Sequence, residues 1–414
     1  GVAHCVSVSH PSTKQLLMPS SPRYLAGRRD TGLVPKAMEA LYAGAHLLSI
    51  TVGVIVAAFL VGCDNHTGSK PAPPAFTPEA YDYAIDTLEL GIAFPPNGNQ
   101  VQRAFTAQQL AVLSIGRMRI AQRWSLREPE RDDFNWAPLE SRMADFSAAG
   151  LELFITLEMK GMPDWLAGLD EEERANEFRA YAAALLSRYG GDIAFIQFGN
   201  EWNWEIDAYF DGNDDEFIRL ANVLHDEVMK LPAHARPTVV LGSVAIGGLR
   251  GLAIAQGRLS NVYFDGTPLY TEEELNEAHA AMLEALPRYQ RIVDGVRFEA
   301  VDLHLYDDFW NWEVYRDSFA ALLSEAGKDL ADYRMLASEF GGPHPNVEPS
   351  EEGYKADRLV SYVQTLDDIG IEHAYYFKLV EEPGSGIAHP NSFLIDRNLD
   401  RMPAFEVMRR FGKR

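Results

Sequence analysis

The chain has 414 residues, of which 47% are hydrophobic and 23% charged, and this composition excludes the disordered and fibrous classes of protein. Lys and Arg number 37 against 60 Asp and Glu, for a formal charge of -23, and so acidic a surface repels phosphate backbones, so no nucleic-acid partner is expected. The only two cysteines, Cys5 and Cys63, are too few for a disulfide framework or a cysteine zinc site.

The first feature along the chain is an apolar run, HLLSITVGVIVAAFLVG, at residues 46–62. It has the length of the hydrophobic region of a secretory signal peptide, and basic residues precede it. The run ends in Leu-Val-Gly before Cys63, which resembles the bacterial lipobox. That resemblance implies cleavage before Cys63, lipidation of its sulfur and anchoring in the bacterial cell envelope, on the periplasmic or cell-surface side. A transmembrane anchor, or a cleaved signal with an incidental cysteine, is the alternative.

The composition divides the chain into four parts. A polar, Pro-rich stretch follows Cys63 and is typical of a short tether. We therefore predict an unstructured upstream extension at 1–35, a lipoprotein signal peptide at 36–62, a tether at 63–79 and a single large domain at 80–414.

Within the domain, brief apolar runs alternate with longer amphipathic ones, a pattern that predicts β-strands and helices in turn. The predicted strands are 88–94, 115–122, 151–158, 193–200, 238–244, 298–306, 334–340 and 373–380. The predicted helices are 138–149, 171–190, 214–230, 272–294, 314–328 and 353–369. Segment 245–271 is predicted to be an extended loop.

Eight such strands with helices between them predict an α/β fold, a closed (β/α)8 TIM barrel, because strands buried on both faces are apolar along their whole length. A doubly wound open sheet is the alternative, but no Gly-rich phosphate loop follows the first strand. In a barrel of this kind the active site lies where the strands end.

Polar side chains stand at several of these strand ends. Strand two supplies Arg119, strand four Asn200 and Glu201, strand six His304 and Tyr306, and strand seven Glu339. Two carboxylates facing each other across one cavity suit glycosidic bond hydrolysis, in which one protonates the leaving oxygen and the other meets the positive charge at the anomeric carbon.

Two of these motifs carry a resemblance to a known group of enzymes. Asn200 and Glu201 within IQFGNEW and Glu339 within LASEFGG resemble the strand-four and strand-seven signatures of clan A glycoside hydrolases. This retaining (β/α)8 group includes cellulases, mannanases, galactanases and β-xylosidases. The resemblance covers about residues 85–412 and implies that Glu201 is the general acid and base and Glu339 the nucleophile.

The same resemblance implies roles for the surrounding residues. Asn200 is expected to bind the sugar 2-hydroxyl, Arg119 to keep the nucleophile ionised, and Tyr306 to donate a hydrogen bond to it. His304 lies two residues before Tyr306 on the same strand face and is expected to line the cavity too.

The chain departs from the clan on strand eight. Where a Trp platform is usual, HAYYFKLVEE offers Tyr376, Phe377 and Lys378, which leaves the sugar of the cleavage subsite open. We expect Tyr376 and Lys378 to contact substrate.

Indole rings stack on sugar faces, and all seven tryptophans follow predicted strands. Those expected to bind substrate are Trp124, Trp165, Trp202, Trp204 and Trp310.

These observations predict a retaining β-glycoside hydrolase that cleaves a polysaccharide or oligosaccharide by double displacement. We expect a monomer with a carbohydrate substrate and no cofactor. We also expect no metal, because the alternation of Asp302, His304 and Tyr306 is explained more simply by an inward-facing polar strand than by a metal site. The alternatives are a glycan-binding lipoprotein without turnover and a transglycosylase, which transfers the glycosyl group to a sugar instead of water.

Overall fold

The computed structural model describes residues 76–204, 210–381 and 389–412 of the chain. The predicted upstream extension, the signal peptide, Cys63 and nearly all of the tether lie outside the described residues. Within the described part of the chain, no helix is both long and apolar enough to cross a membrane.

Eight parallel strands close into a barrel, in the ring order β1-β8-β7-β6-β5-β4-β3-β2. They are β1 Glu89–Ala93, β2 Arg117–Arg123, β3 Glu152–Glu158, β4 Ile193–Phe198, β5 Thr238–Val244, β6 Ala300–Tyr306, β7 Arg334–Gly341 and β8 His373–Tyr376. Each overlaps one predicted strand, so the predicted (β/α)8 barrel is confirmed. The apolar runs form strands because both faces are covered, one by the barrel interior and one by helices.

Helices surround the barrel, and four of them begin at a residue whose side chain caps the first turn. The principal ones are α1 Gln100–Leu113, α2 Ala137–Ala148, α3 Glu171–Tyr189, α4 Asp214–Met229, α5 Ile246–Ala255, α6 Glu272–Gly295, α7 Trp312–Glu325, α8 Glu352–Asp368 and α9 Pro403–Phe411. At the start of α3, Asp170 accepts from the Glu173 backbone and Glu173 accepts from the Asp170 backbone, which satisfies two otherwise unpaired amides.

The barrel interior has an apolar layer below a polar one. The apolar layer consists of Ala93, Phe154, Phe195, Val240, Ala300, Leu336 and Tyr375. Two residues further along three of these strands, Thr156, Gln197 and Asp302 point the same way, and all are buried. This packing makes the interior a filled core and leaves the carboxyl ends of the strands as the place for a site.

The structure corrects the sequence prediction in two places. Segment 245–271 is not an extended loop, because it holds α5 and a short hairpin, Tyr263–Phe264 with Thr267–Pro268. Predicted strand 373–380 is divided: β8 ends at Tyr376, and Lys378–Val380 pairs outside the barrel with Phe393–Ile395. Helices α1 and α9 were also not among the predicted elements.

Candidate active site

Glu201 lies just beyond the end of β4 in an unusual backbone conformation. Gly199 has φ +71° and Glu201 has φ +48°, and the second value lies in the left-handed region that a non-glycine residue rarely adopts. The backbone N–H of Glu201 donates to Ser243 Oγ on β5 at 2.9 Å. The turn is thus held by the neighbouring strand, and local strain of this kind is typical of functional sites.

Two nitrogen donors hold the carboxylate of Glu201. Trp204 Nε1 donates to Oε2 at 2.9 Å, and His304 Nδ1 lies 2.8 Å from Oε1. Burial raises the pKa of Glu201, but the hydrogen bond and charge of His304 and the bond from Trp204 outweigh it, so the pKa lies below its ordinary value. Burial lowers the pKa of His304, but the negative charges of Glu339 and Glu201 outweigh it and raise that pKa.

Glu339 extends from β7 and is almost fully buried. Its Oε1 accepts from Arg119 Nη1 at 2.6 Å, and its Oε2 accepts from Tyr306 Oη at 2.7 Å. Burial, followed by the charge of Glu339, raises the pKa of Tyr306 well above its usual range, so Tyr306 stays protonated and donates. Both oxygens of Glu339 are therefore fixed by donors before any ligand arrives.

Arg119 connects the residues at the base of the site. This fully buried side chain also donates from Nε to Thr156 Oγ1 at 2.8 Å and from Nη2 to Asn200 Oδ1 at 2.6 Å. Asn200 Oδ1 accepts as well from Ser243 Oγ at 3.2 Å. With its oxygen occupied, Asn200 retains its amide N–H groups as the donors for a ligand.

Glu201 and Glu339 face each other at short range. A carboxylate oxygen of each, together with a nitrogen of His304, lie within 4.8 Å of one another. These three groups have a spacing that a cation is able to occupy. However, both oxygens of Glu339 and both nitrogens of His304 already have hydrogen-bond partners in the protein. This arrangement fits two carboxyl groups held by protein donors better than a resident metal.

A cavity of about 270 Å³ opens between the two carboxyl groups. Besides Glu201 and Glu339, its lining consists of Trp204, Ala245, Ile246, Tyr306, Phe377 and His389. The cavity thus combines acidic groups, ring nitrogens and apolar surfaces, a mixture typical of small-ligand sites.

Several predicted substrate contacts lie elsewhere. Trp124 and Trp202 are buried: Trp124 stacks on Tyr181 of α3, and Trp202 packs against Tyr289 of α6. Trp165 is half-buried, packs edge-on against Trp124 and donates to the Glu128 carbonyl, so none of these three indoles lines the cavity. Of the five predicted tryptophans, only Trp204 lines the cavity, while Trp310 is 39% exposed and contacts Phe264 of the hairpin.

The two residues expected from strand eight, Tyr376 and Lys378, do not line the cavity. Tyr376 is buried against Phe340 on the outer face of the sheet, whereas Tyr375 is in the interior layer. Lys378 is buried in the short strand outside the barrel, with Nζ 5.3 Å from the Phe377 ring centroid. Phe377 takes the cavity position instead, as alternation from Tyr375 would have indicated.

His389 is a cavity residue that the sequence did not reveal. Its ring stacks on that of Tyr306, with centroids 3.5 Å apart and an interplanar angle of 8°. It follows no predicted strand and belongs to no recognisable motif, so only the folded chain brings it to the site.

No protein-family model matches the chain, and no curated protein has a significantly similar sequence. Solved structures of similar fold include xylanase 10B from Thermotoga maritima, at 12% identity and TM-score 0.53, over 78% of this chain and 94% of that one. GH5_18 from Bifidobacterium longum has 14% identity and TM-score 0.53, over 78% of each chain.

A third similar structure is a family 39 glycoside hydrolase from the gut symbiont Bacteroides cellulosilyticus. It has 14% identity and TM-score 0.52, and the match covers 82% of this chain and 65% of that one. At identities this low the likeness is one of fold, and chemistry has to be argued from the site itself.

Proposed function

We propose that the chain is a retaining β-glycoside hydrolase in which Glu339 is the nucleophile and Glu201 the general acid and base. The observation that carries the proposal is the approach of the two carboxylates to within 4.8 Å. Retaining enzymes hold their two carboxyl groups about 5–5.5 Å apart, whereas inverting enzymes need a wider gap of about 6.5–9.5 Å for a water molecule.

In the first step, Glu339 attacks the anomeric carbon while protonated Glu201 gives its proton to the departing glycosidic oxygen. The C–O bond to the leaving group breaks and an ester bond to Glu339 forms. In the second step, Glu201 takes a proton from water, the water oxygen attacks the same carbon, and Glu339 leaves as a carboxylate. Both groups return to their starting protonation states.

The donors around Glu339 suit this role. Arg119 and Tyr306 each hold one of its oxygens, so the carboxylate is oriented and its charge is balanced when it leaves in the second step. The amide of Asn200 is oriented by Arg119 to donate to the sugar 2-hydroxyl, a bond that strengthens in the transition state. Trp204 and Phe377 supply apolar faces for the ring.

The proposal predicts that both carboxyl groups are required for turnover and that their loss affects different steps of the reaction. On an activated nitrophenyl β-glycoside, Glu339→Ala should abolish turnover, because no glycosyl ester forms. Glu201→Ala should mainly slow the second step, since a good leaving group needs little protonation, and added azide should then yield a β-glycosyl azide. Each variant should lose roughly a hundredfold or more in kcat.

The control for these variants is Glu158→Ala, which removes a partly exposed carboxylate at the end of β3 that pairs with Arg123 and does not line the cavity. Near wild-type turnover in both Glu201→Ala and Glu339→Ala would refute the assignment.

A screen of nitrophenyl glycosides and of plant, algal and microbial polysaccharides identifies the sugar. Product analysis then distinguishes water from a sugar acceptor, and tight binding without products would identify a glycan-binding protein instead.

We also propose that the protein is a monomer anchored to the bacterial cell envelope through a lipid on Cys63. The support is the sequence Leu-Val-Gly-Cys after an apolar run. Expressed in a bacterium, the wild-type chain should incorporate radiolabelled palmitate and sediment with membranes. Cys63→Ser should do neither, and a labelled Cys63→Ser protein would disprove the anchor.

A further inference from the structure

Asp307 and His389 form an unusual buried pair beside the proposed catalytic residues. Asp307 is 3% exposed and His389 7% exposed. Asp307 Oδ1 and His389 Nδ1 lie 3.8 Å apart, and neither atom has a hydrogen-bond partner among the described residues. Buried polar atoms without partners are uncommon, because each costs free energy in the folded state.

The backbone directs Asp307 toward His389. Asp307 follows β6 with φ +63°, and its N–H donates to the carbonyl of Gly341 on β7 at 3.0 Å. Burial raises the pKa of Asp307, but the imidazole of His389, followed by the charges of His344 and Arg250, outweighs this effect and lowers the pKa. The side chain is therefore a carboxylate, an acceptor that faces a ring nitrogen slightly beyond hydrogen-bond range.

We propose that Asp307 orients His389 through Nδ1–H, and that His389 Nε2 binds a hydroxyl of the sugar in the cleavage subsite. The inference rests on the proposed function, because its ligand is the sugar that the proposed enzyme cleaves. A carboxylate facing Nδ1 keeps the proton of a neutral imidazole on that nitrogen, which leaves Nε2 as the acceptor. Contacts of this kind are often long in a free enzyme and shorten when substrate fills the site.

The position of the ring supports contact with the sugar. His389 lines the cavity and stacks on Tyr306 at 3.5 Å, and Tyr306 itself donates to Glu339. Nε2 lies on the ring edge opposite Nδ1, makes no hydrogen bond to the described part of the chain and is not among its buried unpaired atoms. A sugar ring bonded covalently to Glu339 would therefore lie beside His389 as well as Tyr306.

Substitution by phenylalanine separates hydrogen bonding from packing. His389→Phe keeps an aromatic ring against Tyr306 but removes both nitrogens. Against the substrate identified by the screen, we expect kcat/KM to fall roughly tenfold to a hundredfold, as for the loss of one hydrogen bond to a substrate hydroxyl. The matched control is His234→Phe, because His234 is exposed in the connection before β5, away from the carboxyl ends of the strands.

Asp307→Asn tests the orienting role with little change in volume. Its amide is able to donate to Nδ1, which would transfer the imidazole proton to Nε2 and convert that acceptor into a donor. The preference among epimeric nitrophenyl glycosides should therefore change in Asp307→Asn. A His389→Phe variant with wild-type kcat/KM and wild-type epimer preference would show that the ring only packs.

A measurement without turnover tests the pair independently. In protein labelled with ¹⁵N-histidine, neutral His389 should carry its proton on Nδ1, and its Nε2 resonance should shift on addition of xylo-, gluco- or manno-configured iminosugars. A proton on Nε2, or a resonance that none of the three moves, overturns the inference. Because this result does not depend on catalysis, it distinguishes failure of the inference from failure of the proposed function, which the carboxyl variants test.

Discussion

At the scale of single residues, the site depends on one histidine that contacts the proposed acid. His304 Nδ1 is 2.8 Å from Glu201 Oε1, and its Nε2 is 3.6 Å from Glu339 Oε1. With a raised pKa beside the lowered pKa of Glu201, the free protein favours the proton on the imidazole, so the first catalytic step proposed above starts from the smaller population in which Glu201 carries its proton. His304 thus sets the pH at which Glu201 is protonated.

His304→Gln should move the alkaline limb of the kcat/KM profile to higher pH. Glutamine keeps a neutral donor but removes the positive charge that lowers the pKa of Glu201. Burial, which raises that pKa, then has a larger net effect, so Glu201 keeps its proton to higher pH. The profile of kcat/KM reports groups of the free enzyme.

A limb that stays in place or moves to lower pH in His304→Gln would contradict this account of the acid. His234→Gln, at an exposed histidine, should leave the profile unchanged.

The site residues whose direction the sequence could predict are those whose strand position determines it. Arg119, His304 and Tyr306 point inward because they occupy alternate positions on their strands, and the structure places all three around the two carboxyls. Trp202 could not be placed in this way, because it follows the left-handed turn at Glu201, where alternation no longer applies. Sequence order alone does not distinguish an indole in the cavity from one in the outer layer.

At the scale of elements, β1 approaches the barrel interior so closely that only glycine fits at one position. A Cβ on Gly91 would lie 2.6 Å from Cε1 of Tyr375, and that ring is buried between Phe154 and the strands. Since β8 carries Tyr375 and also leads to Phe377, this contact adjoins the candidate site.

Gly91→Ala should lower the free energy of unfolding by about 1–3 kcal/mol, because the added methyl group overpacks the interior. Gly116→Ala is the control: no atom lies within 4 Å of the position that its methyl group would take, so its effect should be small or slightly stabilising. Urea unfolding followed by tryptophan fluorescence measures both. Equal stabilities of the two variants would contradict the packing argument.

Helix α5 shows why one element escaped prediction. Its sequence, IGGLRGLAIA, contains three glycines, which are poor helix formers. Tertiary contacts supply what local preference does not: Leu249 and Leu252 are fully buried, and Arg250 donates to the buried carboxylate of Asp308 at 2.5 Å. The strands were easier to predict because their apolar runs needed no such long-range partner to be recognised.

At the scale of the whole molecule, the opposite end of the barrel carries a pH-sensitive histidine. His373, at the start of β8, is buried, and its Nε2 lies 2.6 Å from Arg334 Nη2. Burial and then the charges of Arg117 and Arg334 lower its pKa from 6.5 to about 3. The native state therefore holds this ring neutral.

The free energy of unfolding should decrease as the pH falls from 6.5 toward 3, because unfolded His373 binds a proton in this range and native His373 does not. One such group contributes at most about 1.4 kcal/mol for each pH unit. His373→Gln should therefore show a shallower loss of stability in acid than the wild type, in urea titrations at successive pH values. An identical pH dependence in the two proteins would exclude this role for His373.

The ring of strands has a consequence for how the candidate active site is assembled during folding. Arg119 and Glu339 are 220 positions apart in the chain and contact each other only across the barrel, while His389 and Phe377 come from still later segments. No partial structure that lacks either half of the chain assembles this set of contacts. Recovery of turnover after dilution from denaturant should accordingly lag behind the return of the helical circular dichroism signal. The rate at which turnover recovers would then measure the rate of barrel closure.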